Sequence, residues 1–193
     1  KGSPDQFFYF CDYIASRGMV GVSVQYRINK DKVGAVMDGK SPMRFLYQHA
    51  SKLGIDANRI VAGGGSAGGC LAAALSTSKV INDPEEDLSI PAAPKALVLF
   101  NPVYHWKSGR TTAEFEKDFT PIDNIHAGMA PTIVLCGDQD KHLPVSRLTT
   151  FQERMQKVGV RSDLEIYEGA KHSFFNNSRV YVIDTLEKGS AHT

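Results

Sequence analysis

Three short stretches carry residues that could do chemistry together. Gly64-Gly65-Ser66-Ala67-Gly68 sets one serine among glycines. The run GDQDKHLP from Gly137 offers two carboxylates, Asp138 and Asp140, and AKHSFF from Ala170 offers the imidazole of His172. A serine hydroxyl is a poor nucleophile until a positioned histidine takes its proton, and that histidine needs a carboxylate to hold its tautomer. The chemistry open to such a set is acyl transfer through an acyl-serine. The pentapeptide fits G-x-S-x-G, the pattern of a nucleophile elbow, where the serine sits on a tight strand-to-helix turn. Small neighbours are needed because strand and helix nearly touch there. The N–H of the next residue, Ala67, points at the same spot and can donate to an oxyanion.

The glycines also admit other readings. Gly63, Gly65 and Gly68 satisfy G-x-G-x-x-G between a strand and a helix, the dinucleotide fingerprint. That site needs a second strand ending in an acidic residue about 20 positions on. Here the region is STSKVINDPEEDLSIP, whose acids lie in a proline-flanked loop. A phosphate-binding Gly-Lys-Ser/Thr is absent as well. The bland alternative is a glycine-rich helix start chosen only for close packing. Its weight falls because an acid loop and then a histidine loop follow Ser66, each after a strand, in the order an elbow requires.

Those loops need elements to hold them. Residues 4–17 have helical apolar spacing, with Phe7, Phe10, Cys11 and Ile14 on one side and Gly18 as the stop. Met19–Arg27 (MVGVSVQYR) reads as a strand. Ser41-Pro42 predicts an N-cap and first helical position, with a helix running to Gly54. Further strands are predicted at RIVAGG, KALVLFNP, TIVLCGD and DLEIYEG, and a helix over 144–159 with Leu148, Phe151, Met155 and Val158 inward. Helices between short apolar strands imply right-handed crossovers and a parallel sheet covered on both faces, an α/β fold. The segment 103–129 is a long irregular excursion of the kind that closes over something.

Composition narrows the partners. The chain has 193 residues, enough for a single domain, 1–193, with a substantial core. It is 42% hydrophobic and 22% charged, with a net charge of +1 and no basic stripe, which removes the electrostatic argument for nucleic acid. The three cysteines, Cys11, Cys70 and Cys136, form no CxxC pair and read as buried thiols. No metal or organic cofactor is required. The uncharged run 60–78 holds five glycines and is too polar for a membrane span. Of the other histidines, His105 beside Trp106 is the candidate for a substrate pocket. His142, next to the acid, reads as a solvent-exposed side chain.

The sequence at this point resembles the α/β-hydrolase esterases, in particular the hormone-sensitive-lipase-like and acetyl-esterase branch. VSVQYR is similar to that family's "YR" signature at Tyr26-Arg27, and LGIDANRIVAGGGSAGGCLAAA to its elbow segment. PTIVLCGDQDKHLP is similar to its acid loop, in which the aspartate three residues after glycine is catalytic, so the resemblance selects Asp140 over Asp138. GAKHSFFN resembles its histidine loop and makes His172 the base. The implied activity is a serine carboxylesterase acting on short-chain esters. Other acyl classes, a peptidase or thioesterase, use the same triad.

There are departures from the same resemblance. Ser173 stands where relatives commonly have glycine, and Cys136 replaces a frequent histidine. Relatives also carry a His-Gly-Gly-Gly stretch just before the residues resembling Gly2-Ser3-Pro4. Its N–H groups form most of the oxyanion hole. The expectation is a sheet without its N-terminal strands, reduced activity, and a homo-oligomer that covers the gap.

Overall fold

The computed structural model describes residues 3–28, 31–104 and 117–176. Four parallel strands form one sheet in the order β1-β2-β3-β4, with β1 at Val61–Gly65, β2 at Ala96–Phe100, β3 at Thr132–Gly137 and β4 at Ser162–Tyr167. The register runs Gly65 to Phe100, Phe100 to Leu135, and Gly137 to Tyr167, so all four strands end along one edge. Helix α1 is Phe8–Ser16, α2 is Lys32–Gln48, α3 is Ala50–Leu53, α4 is Ala67–Thr77 and α5 is Val145–Lys157.

Alternation along the strands divides the sheet into two faces. Leu97, Leu99, Val134 and Cys136 point into the main core, where Ala72 and Ala73 of α4 and Leu148, Phe151 and Met155 of α5 cover them. Full burial of side chains this size contributes roughly 2 kcal/mol each, which makes this layer the main support of the sheet. On the other face Phe100 meets Phe10 of α1, with ring centroids 5.7 Å apart. Helices therefore lie on both faces, as the alternation of apolar segments implies.

Two elements differ from the sequence expectation. Met19–Arg27 forms no strand. A strand exists only through its ladder, and this segment packs along α1 instead. Gly21 lies against the backbone of Cys11, and Ser23 Oγ donates to the Pro4 carbonyl at 2.7 Å. Second, α2 begins at Lys32, not at Ser41. Asp31 is the real N-cap, its carboxylate accepting from Gly34 N–H at 2.8 Å, and Pro42 is carried inside the helix. A helix-interior proline is tolerated here because α2 is anchored on both sides of it. Arg27 grips Asp38 through two side-chain bonds, of 2.8 and 2.7 Å, and a backbone bond of 2.8 Å. Past the proline, Arg44 reaches Glu86 at 2.5 Å and Asn82 at 2.7 Å. Of the thiols, Cys70 and Cys136 are buried and Cys11 only half-buried; all three are free.

Polar groups also fasten the loop that follows α4. Lys40 is buried and donates to the carbonyls of Ser78 and Ile81 at 3.0 and 2.6 Å; burial pushes its ammonium down to about 8. Asp118 accepts from Ser78 Oγ at 2.5 Å and from the N–H groups of Lys79, Val80 and Ile81 at 3.0 to 3.2 Å. Burial would raise this carboxyl, but the four donors outweigh it and hold it below the usual carboxylate range. Asp118→Ala strands those donors and is expected to cost about 3 kcal/mol in urea unfolding near neutral pH. The folded value is the lower one, so this stabilisation is complete above the ordinary aspartate range and disappears as pH falls through the depressed value. The gap between parent and variant should close accordingly in acid.

Candidate active site

Ser66 stands between β1 and α4 with φ 53° and ψ −113°, a left-handed conformation that is rare for a residue with a side chain. The cause is the close passage of the two elements. A Cβ on Gly64 would lie 2.5 Å from the carbonyl carbon and oxygen of Gly68. Ser66 N–H donates to the Phe100 carbonyl at 2.9 Å, and its own carbonyl accepts from Cys70 and Val103 N–H, so the turn is held from three sides. Ala67 is the first residue of α4, and its N–H has no carbonyl to meet within the helix. That end of the helix also carries the positive pole of its dipole.

The two later loops converge on the serine. His172 Nε2 lies 2.8 Å from Ser66 Oγ, and His172 Nδ1 lies 2.7 Å from Asp140 Oδ2. The other oxygen of Asp140 accepts from His142 and Leu143 N–H at 2.8 and 3.0 Å. Asn101 Nδ2 donates to Asp140 Oδ2 at 2.5 Å. Burial alone would push the Asp140 carboxyl up. The bonds from His172, His142 N–H and Asn101 overcome it, and the group is held below the usual range, hence ionised at neutral pH. An ionised acceptor at Nδ1 leaves Nε2 free to take the proton of Ser66, and it stabilises the imidazolium that results.

Asp138, the other acid of the loop, takes a different position. Its carboxylate accepts from Gly169 N–H at 2.8 Å, and Gln139 N–H donates to the Ala170 carbonyl at 3.0 Å. Acid loop and histidine loop are thus bonded backbone to backbone. The contact is close enough to exclude a side chain from Gly137, whose Cβ would collide with the Ala170 carbonyl. The His142 ring is exposed, yet it packs edge-on against His172 at 4.9 Å. The suggested pocket residues His105 and Trp106 lie outside the described residues.

Two family models match the chain. One described as BD-FAE matches residues 2–98, and the dienelactone hydrolase family matches 89–192. The structure superposes on esterase 2 of Thermogutta terrifontis phosphoramylated by tabun with a TM-score of 0.86 and 37% identity, covering 99% of this chain and 76% of that one. The chain belongs to the α/β-hydrolase esterase family. The same Thermogutta esterase with propionate bound gives a TM-score of 0.83 at 37% identity, and with butyrate bound 0.84 at 35%; each comparison covers 99% of this chain and 77% of that one. An AB hydrolase superfamily protein of Schizosaccharomyces pombe is 28% identical over 88% of this chain and 57% of its own length. Esterase LipC of Mycobacterium tuberculosis is 26% identical over 83% of this chain and 46% of its own. The chain spans about half the length of these two relatives.

Asn101 is the member of the cluster that sequence reasoning missed. Its signal was slight: an asparagine directly after a strand, ahead of proline. Among the described residues no group of side chains is disposed to hold a metal ion, and no helix is long and apolar enough to cross a membrane. Backbone strain at Ser66 generates an expectation of its own. Ser66→Gly relieves the left-handed φ whereas Ser66→Ala does not, so the glycine variant should be more stable by about 1 kcal/mol in urea unfolding. Equal stabilities would remove strain from the account of the elbow.

Proposed function

We propose that this chain is a serine carboxylesterase of short-chain esters, with residues 1–193 forming one hydrolase domain. The observation that carries the reading is the continuous path from Ser66 Oγ through His172 to Asp140, with links of 2.8 and 2.7 Å. Ser66 attacks the ester carbonyl while His172 Nε2 takes its proton. Asp140 holds the imidazole and stabilises its charged form. Ala67 N–H donates to the oxyanion of the tetrahedral intermediate. His172 then returns the proton to the leaving alcohol, and water repeats the sequence on the acyl-serine. The Thermogutta esterase, described with propionate and with butyrate, supports acyl chains of that length. The forms phosphoramylated by tabun and phosphorylated by paraoxon support a nucleophile open to phosphorus electrophiles.

The test compares p-nitrophenyl acetate, butyrate and octanoate with a peptide amide, alongside a fluorophosphonate probe read by mass spectrometry. Hydrolysis of the two short esters above the others is expected, with the adduct on Ser66. Ser66→Ala and His172→Ala should each lower kcat by ~10⁴-fold or more and abolish the adduct. Preference for the amide would assign the triad to a peptidase, and an unlabelled, inert parent would remove catalysis from the reading.

We also infer that a second copy of the chain covers the outer side of β1. Val61 of β1 is 52% exposed. Beyond β2, β1 has no strand partner among the described residues. An open edge with apolar side chains favours pairing, and a two-fold contact lets the edge pair with itself. Sedimentation should give a dimer that Val61→Lys converts to monomer. A parent that sediments as a monomer would exclude it.

A further inference from the structure

Asn101 stands where β2 ends, fully buried and with φ 41°, a left-handed conformation that asparagine tolerates better than most residues. Its N–H donates to the Leu135 carbonyl at 2.9 Å, which fixes its backbone to β3. From there its amide reaches the oxygen of Asp140 that also faces His172. Its other amide atom, Oδ1, is buried with no hydrogen-bond partner among the described residues. Leaving a buried acceptor unmatched is costly. The side chain is therefore placed for its donor, not for its acceptor.

We propose that Asn101 is a positioning residue of the triad: its amide N–H holds Asp140 Oδ2 in line with His172 Nδ1. Among the described residues, two further donors reach Asp140, both backbone N–H groups, and both go to its other oxygen. Without Asn101 the carboxylate keeps its loop but is free to rotate its second oxygen away from the imidazole. The inference rests on the esterase reading for one of its two readouts.

Asn101→Asp is the sharpest variant, because an acid of the same shape donates only while protonated. Beside Asp140 the two carboxyls share one proton, which raises the pair's apparent pKa. The proton resides at position 101, since the partnerless Oδ1 makes that the poorer place for negative charge. The other group facing Asn101 is the Cys136 thiol, 3.8 Å from Nδ2 on β3. Burial, together with the charges of Asp140 and Asp138, pushes it up to about 11, and it stays neutral over the assay range.

The experiment measures p-nitrophenyl butyrate hydrolysis and the rate of fluorophosphonate labelling at Ser66, each as a ratio of variant to parent. For Asn101→Asp the ratio should be near parental at about pH 5 and fall roughly tenfold by about pH 9, as the donor is lost. Asn101→Gly suits the left-handed backbone and keeps the test open if the acid variant does not fold. Its kcat per folded molecule should drop roughly tenfold with KM within about twofold. Ratios flat with pH in both assays overturn the inference, as does parental kcat in Asn101→Gly. A parent that is labelled at Ser66 but turns over no ester overturns the esterase reading alone, and the labelling ratios still decide Asn101.

Discussion

Where β1 passes into α4, backbone meets backbone: a methyl group on Gly64 would sit 2.5 Å from the carbonyl of Gly68. That approach leaves the chain so little room to turn that Ser66 must take a left-handed φ. The same turn lifts the hydroxyl above the end of the sheet and starts α4 directly behind it, bringing the helix's unpaired N–H groups to the serine. Position, exposure and an electrophilic neighbourhood thus share one cause. The strain is tolerated because Phe100, Cys70 and Val103 hold the serine's backbone on three sides.

A parallel sheet in even register does the remaining assembly. Because Gly65, Phe100, Leu135 and Glu165 fall on one rung, and β3 and β4 end together at Gly137 and Tyr167, the residues that follow emerge together at one edge. Ser66 follows β1, Asn101 follows β2, Asp140 belongs to the loop after β3, and His172 to the loop after β4. Four segments that are far apart in sequence then meet with no adjustment beyond loop length. The core under β2 and β3, covered by α4 and α5, keeps the rungs aligned.

Much of this was open to sequence reading, for identifiable reasons. Strands β1 to β4 and helix α5 carry strong local patterns, apolar runs or one inward stripe, and the loops after them could be placed at the strand ends. The misplaced elements are those decided by distant partners. Met19–Arg27 has strand composition, but strand formation depends on a neighbour that composition cannot supply. The start of α2 was hidden because Ser41-Pro42 imitates a helix start, whereas Asp31 and the Arg27–Asp38 pair establish the real one. Asn101 was hidden for a similar reason. Its role comes from a carboxylate 39 positions away that meets it only in the folded sheet.

The bonds from Gly169 N–H to the Asp138 carboxylate and from Gln139 N–H to the Ala170 carbonyl join the acid loop to the histidine loop, and Gly137 lies against Ala170 with no space between them. Acid and base therefore belong to one stiff unit, while the serine belongs to another. For anyone transplanting this site, the two loops form a cassette. Lengthening or exchanging one alone would break its backbone bonds to the other. Exchanged as a pair, from Gly137 to Leu143 and from Gly169 to Phe175, they would carry their internal geometry with them, leaving the gap to Ser66 and the reach of Asn101 to Asp140 as the distances to retune.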